Sequence, residues 1–596
     1  MKFLDEIPLL LNSLGQQLFS GSQSYTAFSD PLPAPNAIAW SFNEPPIVLG
    51  ELKLVTLFDE EGETKSPFAS AHSILSGAFN RSVSSIRTQS WSPPTSEFEN
   101  FTLTDIDLQI SPVTEIQVTV QDISADLQQG VDESFTLQIP APEDSTKIAI
   151  NSQTIWGTLH ALTTLEQLTL SKDGHVFIEH PVSISDGPLY PYRGLMIDTS
   201  RNFYSVADLE RQIDTLHLAK MNVFHWHITD NQAWPIEVSS YPQMTRDAYS
   251  PDEIYTIADV KHLVQYGYER GVRIIPEIDM PGHSSAGWQQ IDGDIVACKD
   301  SNWEVTAAEP VPGQLEILSN QTYKLLENVY NDVSQLFHDN YFHVGFDELN
   351  VECYKESAIT RRWFEENPTY NTSDLAQYWV DHAVPIFMNN DQRKLIMWQD
   401  AVLSAHIPAK SVPKSVTLQV WTGDRDNVGT LIDMGYDVIF SSADFLYLDC
   451  GFGQWTANDS LVGDQANPSP GSPTYNYGGN GGSWCGPYKS WQRIYSLDLG
   501  FELTEAQQKH VIGGSAHLWS EQSGGLTVDF MVWPRLASLA ELLWSGNLGS
   551  DGKLRNEEFT RRIYYFRERL VQRGISAAVL GPKYCLKHPN ACSSVS

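Results

Sequence analysis

Residues 221–235 read MNVFHWHITDNQAWP, and this stretch decides the fold because it joins a buried strand to a polar tip. The largely apolar run from Val223 is typical of a strand covered on both faces, and it ends at Asp230. The same order of short apolar strand, polar tip and helix recurs after Pro188, as in parallel βα units. Eight strands follow this pattern, at residues 194–200, 223–230, 273–279, 341–348, 394–400, 416–422, 437–443 and 513–521.

Helical segments separate these strands. Apolar residues recur three and four positions apart in residues 206–220, 259–270, 320–338 and 373–389, which is typical of amphipathic helices. Eight parallel βα units close into a barrel whose active site lies at the C-terminal ends of the strands. The sequence therefore predicts an α/β fold with a (β/α)8 TIM barrel and a C-terminal arm over residues 186–596.

The residues before the barrel divide into two parts. Residues 1–105 are rich in Ser, Pro and Thr from residue 21 onward, which predicts an ordered but irregular leader. Alternating apolar residues and then helical spacing predict a small α+β domain over residues 106–185. The apolar start of the chain is interrupted by Asp5 and Glu6, so it lacks the order of a signal peptide. No run approaches the roughly 20 apolar residues that cross a bilayer.

The composition limits the choice of ligand. The formal net charge of −36 repels nucleic acid and anionic membrane surfaces. The 17 Trp and 24 Tyr residues suit a neutral glycan, although most of them are expected in the core. A carbohydrate partner is therefore favoured, and neither nucleic acid nor membrane is expected.

Cysteines and glycosylation sequons both indicate an oxidising, secretory route. The six cysteines show no zinc-ligand spacing, which predicts three disulfides. Sequential pairing is favoured, and other pairings stay open: Cys298 with Cys353, Cys450 with Cys485, and Cys585 with Cys592. Five Asn-x-Ser/Thr sequons are candidate glycosylation sites: Asn80, Asn100, Asn320, Asn371 and Asn458.

Carboxylates and tryptophans recur at the predicted strand ends. Any one of them would also serve as a structural cap to a neighbouring loop. The same chemistry at seven tips indicates instead a single site on the barrel rim. The tip residues include Asp230, Glu277, Asp279, His283, Asp347, Glu348, Trp398, Asp400, Trp421, Tyr447, Asp449, Trp519 and Glu521.

Asp347 and Glu348 form an adjacent acidic pair. A retaining glycosidase that uses two carboxylates places them about 5 Å apart across the scissile bond. Successive residues of a strand project to opposite sides, so this pair is poorly placed as nucleophile and acid. Burial and like charge are expected to raise the pKa of one of the two acids, as a general acid requires.

Four motifs make the chain resemble the family 20 glycoside hydrolases, specifically the fungal β-N-acetylhexosaminidases, over residues 106–592. They are YRGLMID at 192–198, the segment 221–235, PEIDMPGH at 276–283 and HVGFDE at 343–348. Phe346 stands where the family usually has glycine, and residues 513–521 vary the last strand. Neither departure removes a titrating group.

The resemblance implies a secreted, retaining exo-enzyme in which the substrate's acetamido oxygen attacks C1, an exception to the two-carboxylate scheme. Glu348 then acts as general acid and base, and Asp347 orients and stabilises the acetamido group. Tyr447 donates to the acetamido carbonyl. His283 and Asp230 form a chain toward Glu348, which Glu277 extends; a satisfied core histidine is the competing interpretation.

Sugar-binding residues are also implied by the resemblance. Arg193 would bind the 3- and 4-hydroxyls, with an ion pair at the barrel bottom as its alternative role. Asp449 and Glu521 would accept from the 4- and 6-hydroxyls. Aromatic residues would wrap the acetyl group and meet the next sugar: Trp398, Trp421 and Trp519 for the first role, Trp484 for the second. A Cys450–Cys485 disulfide would join two loops of this site.

The resemblance extends to organisation and partners. Residues 106–185 resemble the zincin-like module of the family, without the H-E-x-x-H metal motif. No cofactor or metal is expected. Residues before about 100 are candidates for a propeptide that stays associated, and a homodimer is expected. Two rivals remain: a family 18-type chitinase, whose spaced acidic run is missing, and a carbohydrate-binding protein without activity, which predicts loss of the acid.

Overall fold

The computed structural model describes residues 27–58, 68–88, 91–388, 393–457 and 482–592. These residues form an eight-stranded mixed sheet, then a closed barrel of eight parallel strands, with a two-stranded ribbon in one barrel loop. No helix in these ranges combines the length and apolarity that a membrane span requires.

All eight predicted barrel strands are confirmed. Each pairs in parallel with its neighbour in sequence, and the eighth pairs with the first to close the barrel. The fourth strand ends well before its predicted limit because Gly345 and Phe346 adopt φ values of 70° and 88°, which no strand permits. The strands are Tyr192–Asp198, Val223–Thr229, Arg273–Ile278, Tyr341–His343, Lys394–Trp398, Thr417–Val420, Val438–Phe440 and Val511–Leu518.

The barrel interior is layered along its axis. Its lower layer is apolar and is filled by large side chains from alternate positions: Tyr192, Val223, Ile275, Tyr341, Ile396 and Ile439. Above it lies a fully buried polar layer of His225, Glu277, His343, Gln419 and His517. The C-terminal ends of the strands, which hold the candidate site residues, lie above this polar layer. The packed interior therefore supports the site from below.

The four predicted helices are present as Val206–Leu218, Ile257–Tyr268, Asn320–Ser334 and Thr372–Phe387. Capping boxes fix the starts of three of them, at Ser205, Thr256 and Asn371. The other helices of nine or more residues are Ala71–Thr88, Ile155–Leu168, Ala358–Glu366, Asp424–Asp433, Arg535–Ser545 and Asn556–Gln572.

The N-terminal domain corrects the predicted boundary at residue 106. Strands Ala37–Trp40 and Ile47–Thr56 belong to the same sheet as the later strands, and helix Ala71–Thr88 packs beside helix Ile155–Leu168. Helix Ala71–Thr88 contains five serines, which weaken its amphipathic pattern in the sequence, but its apolar face is buried. Residues 37–88 of the predicted irregular leader therefore contain two strands and a helix of the N-terminal domain. Residues 1–26 lie outside the described residues. The remaining strands are Val113–Asp122, Phe135–Ile139, Lys147–Thr154, Leu170–Lys172, His175–Ile178 and Val182–Asp186.

Three disulfides have the sequential pairing that the sequence favours. Cys298–Cys353 joins the loop after the third barrel strand to the helix after the fourth, and Cys585–Cys592 closes a short C-terminal loop. Cys450–Cys485 lies at the barrel rim. Of the predicted sequons, four asparagines are exposed, and Asn458 lies outside the described residues: the exposed ones are Asn80, Asn100, Asn320 and Asn371.

Arg193 joins the two domains below the barrel. Its guanidinium forms hydrogen bonds of 2.6 and 3.0 Å to the carboxylate of Glu133, and both side chains are buried. His160 and Asn222 complete the partners of Glu133 at 2.8 and 3.1 Å. A buried pair of this kind is costly to break because the surviving charge is left without a partner.

We expect Arg193→Met to lower the free energy of unfolding by about 3–5 kcal/mol, because Glu133 becomes an unpaired buried anion. Urea denaturation measures this loss. The matched control is Lys355→Met, which breaks a surface pair with Glu352 whose side chains are 63% and 49% exposed; its cost should stay below about 1 kcal/mol. A raised KM with unchanged stability would instead place Arg193 in the sugar site.

Candidate active site

The acidic pair sits on a sharp backbone turn. Gly345, Phe346 and Glu348 have φ values of 70°, 88° and 50°, so the two acids do not project as successive residues of a strand. A Cβ at Gly345 would lie 1.6 Å from Asp279 Oδ1, so only glycine fits there. Asp347 is largely buried, with 11% of its side chain exposed, whereas Glu348 is 35% exposed.

Phe346 is a bulky residue in the left-handed region of backbone space. Its side chain is fully buried in the core outside the barrel, and its N–H donates to Asp279 Oδ1 at 3.1 Å. The packing of the ring and this hydrogen bond hold a conformation that glycine would adopt without strain. The departure from the usual glycine therefore leaves the turn intact.

The raised pKa that the sequence predicts for one acid of the pair belongs to Asp347. Burial, and then the charge of Asp279, raise the pKa of Asp347 well above its usual range. This is the acid to which the resemblance gives the orienting role and not the proton-donating role. The two acids therefore occupy different environments.

A continuous polar chain runs from Glu348 into the barrel. His283 Nε2 lies 3.3 Å from Glu348 Oε2, and His283 Nδ1 lies 3.0 Å from Asp230 Oδ1. Asp230 Oδ2 is 3.0 Å from His227 Nε2, and His227 Nδ1 is 2.9 Å from Glu277 Oε2. The structure thus brings together Asp230, His283 and Glu277, which favours the predicted chain over an isolated core histidine.

Charge along this chain favours a protonated His283. Burial alone would lower its pKa, but Asp230 and then the two acids of the fourth strand raise the pKa of His283 well above its usual range. Burial likewise acts against His227, yet the charge of Glu277 raises the pKa of His227 to about 10. Imidazolium and carboxylate therefore alternate toward Glu348.

Aromatic side chains cluster at the C-terminal ends of the barrel strands and form what we call the aromatic wall. The ring centroids of Trp421 and Trp484 are 6.1 Å apart, and those of Tyr447 and Trp484 are 5.9 Å apart. Trp519 lies 6.3 Å from both Tyr447 and Trp398. Trp484 is 60% exposed, so it lies at the mouth, whereas Trp398 is buried and donates its Nε1–H to Glu277 at 2.9 Å.

A disulfide joins the loop that holds Asp449 to the loop that holds Trp484, beside these aromatic residues. The Cys450–Cys485 disulfide, with Cα atoms 5.4 Å apart, directly follows Asp449 and Trp484 in sequence. The N–H of Trp519 donates to Asp449 Oδ1 at 3.4 Å. Burial raises the pKa of Asp449 to about 7 and that of Glu521 well above its usual range. Both acids are therefore poised to hydrogen-bond a neutral ligand.

The structure corrects the role predicted for Arg193. It begins the first strand, so it lies at the bottom of the barrel, opposite the active-site rim, with its guanidinium committed to Glu133. Arg201, three residues beyond the end of that strand, is the rim arginine that sequence reasoning missed. Strand direction was the available signal, because only residues at the C-terminal end reach the rim.

Arg201 is held in place by the pocket itself. Its Nη1 lies 2.8 Å from Asp230 Oδ2 and 3.4 Å from Asp198 Oδ2, and its Nε donates to Glu309 at 2.9 Å. The guanidinium stacks 5.0 Å above the Trp519 ring. Burial raises the pKa of Asp400, another rim acid without a predicted role, to about 6, and Trp421 Nε1 donates to it at 2.6 Å.

Four groups of side chains near the site have the composition of metal ligands, and two of them include His283, one with Asp230 and Glu309 and one with Asp279 and Asp347. His225, Glu277 and His343 offer atoms within 4.8 Å of one another. Their contacts of 2.7 and 3.1 Å are, however, hydrogen-bond spacings between histidine and carboxylate. Asp449 forms another group with Cys450 and Cys485, whose sulfurs are already joined. Hydrogen bonding and the disulfide account for these two groups, and in the groups around His283 the ring lies at hydrogen-bond distance, 3.0 Å, from Asp230.

Comparison with known protein families agrees with this geometry. The family model described as "Glycosyl hydrolase family 20, catalytic domain" matches residues 190–547, more than half of the chain. The chain belongs to glycosyl hydrolase family 20. It is therefore a glycosidase. A second model, "beta-acetyl hexosaminidase like", matches residues 31–168, which agrees with an N-terminal domain that starts well before residue 106.

Curated relatives cover most of the chain. A β-hexosaminidase of Emericella nidulans is 47% identical over 585 residues, covering 94% of this chain and 95% of the relative. β-Hexosaminidase 1 of Coccidioides posadasii is 52% identical over 488 residues, covering 80% and 81%. Among solved structures, a Flavobacterium johnsoniae chitobiase of family 20 has a TM-score of 0.70 at 24% identity, covering 93% of this chain and 74% of its own, which supports the fold.

We expect Asp230→Asn to move the alkaline limb of the kcat/KM profile of this family 20 enzyme to lower pH by at least about 1 unit. Without the aspartate charge, burial lowers the pKa of His283, so the imidazolium is lost as pH rises through that lower value. The maximal rate should fall roughly 10- to 100-fold, as for other supporting hydrogen-bond partners.

Asp381→Asn, on the exposed face of helix Thr372–Phe387, is the matched control and should leave the profile unchanged. An Asp230→Asn profile identical to that of the wild type would contradict the coupling of His283 to Asp230.

Proposed function

We propose that this chain is a retaining exo-β-N-acetylhexosaminidase that removes terminal β-linked GlcNAc or GalNAc from chito-oligosaccharides and glycans by substrate-assisted catalysis. One observation carries the proposal: the two adjacent acids differ in environment, since Asp347 is 11% exposed whereas Glu348 is 35% exposed and lies 3.3 Å from His283 Nε2. That arrangement suits one proton donor and one carboxylate beneath the sugar. It does not suit two carboxylates flanking one bond.

Each step of the reaction has a residue to carry it. Asp347 accepts the acetamido N–H, and the Tyr447 hydroxyl donates to the carbonyl oxygen, which bonds to C1 as the glycosidic C1–O bond breaks. Glu348 gives its proton to the leaving oxygen. Water then attacks C1 of the oxazolinium, Glu348 takes the proton from that water, and the acetamido group is restored. The product keeps the β configuration after two inversions.

The aromatic wall supports this reaction by holding the acetamido group in its attacking shape. Trp421 and Trp519 pack against the cluster that contains Tyr447, and Trp398 lies beside Trp519 with ring centroids 6.3 Å apart. Holding reacting groups in this geometry removes much of the entropic cost of the attack. Trp484, exposed at the mouth, is placed to stack on the next sugar.

An exo mode of action is supported by the polar groups that surround the far side of the pocket. Within the described residues, Arg201 keeps one guanidinium N–H beyond its contacts with Asp230, Asp198 and Glu309, and with the carboxyls of Asp449 and Glu521 it suits the hydroxyls of a terminal sugar. Such buried groups reject a sugar that lacks a hydroxyl because they would be left without partners. Arg201 here takes the role that the sequence gave to Arg193.

Names of the relatives bear on the substrate. Besides the two fungal β-hexosaminidases, an Ostrinia furnacalis protein named chitooligosaccharidolytic β-N-acetylglucosaminidase is 34% identical over 480 residues. These names favour short chitin fragments and terminal N-acetylhexosaminides as substrates. The three disulfides and the exposed sequons favour secretion with glycosylation. A homodimer and an associated propeptide stay predictions of the sequence.

The alternative that the sequence left open, a carbohydrate-binding protein without activity, predicts loss of the acid, whereas family membership makes the chain a glycosidase. A chromogenic β-N-acetylglucosaminide at mildly acidic pH separates the two, since turnover supports the enzyme and saturable binding without turnover supports the alternative. Retention of Glu348 and of its hydrogen-bonded chain favours the enzyme.

We expect Glu348→Gln to lower kcat on chitobiose about 100- to 10,000-fold with KM nearly unchanged, because only the proton transfer is lost. An activated aryl leaving group should suffer much less. Glu352→Gln, with 49% of its side chain exposed on the next helix, is the matched control and should behave as wild type. Unchanged turnover of chitobiose would remove Glu348 from the acid role.

Stepwise fluorination of the substrate's N-acetyl group should slow kcat with each fluorine, because the carbonyl oxygen becomes a weaker nucleophile. The first sugar released should be the β anomer, which proton NMR detects before mutarotation. A rate independent of the acyl group, or initial release of the α anomer, would contradict neighbouring-group participation.

A further inference from the structure

Asp279 lies directly below the acidic pair and has no role in the reaction described above. It follows the third barrel strand and is 1% exposed. Its Oδ1 accepts the N–H of Phe346 at 3.1 Å. Its Oδ2 is buried and receives no hydrogen bond from any N–H or hydroxyl within the described residues.

Asp347 presents a matching oxygen. Its Oδ1 is also buried and also lacks an N–H or hydroxyl donor among the residues that the structure describes. The carboxyl groups of Asp279 and Asp347 nevertheless lie close together: each has an oxygen within 4.8 Å of the other and of a His283 ring nitrogen. Two carboxylates form a hydrogen bond only when one of them carries a proton, and two buried like charges at this spacing repel strongly.

We propose that Asp279 and Asp347 share a single proton, and that Asp279 is a positioning residue whose carboxyl holds Asp347 through that proton. The inference rests on the proposed function, because it concerns the carboxylate that receives the substrate's acetamido N–H. When the substrate's amide N–H binds to Asp347, the proton rests on Asp279, so that Asp347 carries the negative charge and keeps its other oxygen toward the sugar.

The charged groups around the pair agree with one shared proton. Burial raises the pKa of Asp279 to about 7, and the charge of Glu277 adds to this effect. His283 stabilises a single negative charge on the pair and does not neutralise two. The other titratable groups that face the pair are Glu348, Asp230 and Tyr447.

A single negative charge is what the reaction requires. The oxazolinium carries one positive charge on its ring, and Asp347 balances it through the N–H hydrogen bond. The shared proton stays between the two aspartates throughout, while Glu348 supplies the proton for the leaving oxygen and recovers one from water. A doubly ionised pair would push its carboxyls apart and draw Asp347 away from the amide.

The test compares Asp279→Asn with Asp279→Ala in the full chain. The asparagine amide keeps a donor toward Asp347 at every pH and an oxygen for the Phe346 N–H, so it imitates the protonated aspartate. We expect kcat/KM to fall less than about 10-fold in Asp279→Asn but roughly 10- to 150-fold in Asp279→Ala, the range expected for a lost hydrogen bond to a charged group.

The pH profile is the readout that a purely structural role would not move. In the wild type, loss of the shared proton contributes to the fall of kcat/KM at alkaline pH. In Asp279→Asn that ionisation is absent, so the fall should begin at higher pH. Asp437→Asn, a 55% exposed side chain outside the site, is the control and should keep the wild-type profile.

The outcomes separate this inference from the proposed function. An Asp279→Asn variant as slow as Asp279→Ala, or one whose alkaline limb is unmoved, overturns the shared proton. Wild-type rates that ignore acyl fluorination overturn the proposed function instead. If Asp279→Ala fails to fold, the rate and pH profile of Asp279→Asn decide alone.

Discussion

A buried anion at the centre of the barrel organises the structure. Glu277 is fully buried, and its carboxylate contacts His225 and His227 from the second strand, His343 from the fourth and Trp398 from the fifth. A charge in this position is tolerated only when it is paired and hydrogen-bonded. Four strands therefore contact one carboxylate. Burial would raise the pKa of Glu277, but the surrounding histidines hold it well below its usual range.

From that centre, charge alternates outward to the reacting groups. His227 contacts both Glu277 and Asp230. Burial would raise the pKa of Asp230, but Arg201 and His283 hold it far below its usual range. Asp230 then fixes His283 against Glu348, and it also anchors Arg201 on the sugar side. One aspartate thus serves both the proton donor and the hydroxyl-binding arginine, so proton transfer and sugar recognition depend on the same buried group.

The elements that the sequence predicted well are those with strong periodicity. The eight barrel strands and four long helices follow from apolar patterning alone, and the convergence of Asp347, His283 and the tryptophans follows from their positions at strand ends. Helix Ala71–Thr88 escaped because its serines hide an apolar face. The sugar-binding role expected for Arg193 is wrong because its place at the start of a strand puts it at the bottom of the barrel, away from the rim.

The role of Asp279 was beyond sequence reasoning for a different reason. Its importance depends on which oxygens lack donors, and that depends on the turn at Gly345 and Phe346, where the positive φ values bring the fourth strand over the third. Periodicity predicts where a strand runs, but it does not predict where a left-handed residue ends it. Glycine at position 346 would have indicated a backbone with positive φ, whereas phenylalanine does not predict one.

Burial of acids at the barrel rim makes the stability of the fold depend on pH. Asp279 and Asp449 have pKa values raised to about 7, and Asp400 to about 6, all because of burial. Each binds more protons in the folded than in the unfolded chain, so its contribution to stability declines as pH rises from the unfolded value near 4 through the folded one. Glu133 acts in the opposite sense: its pKa is lowered to about 2 by Arg193 and His160 despite burial, so its stabilisation is lost as pH falls toward that value. The rim acids and the domain interface therefore favour the same mildly acidic window, in which the pocket holds its protons and the salt bridge below the barrel keeps its charge.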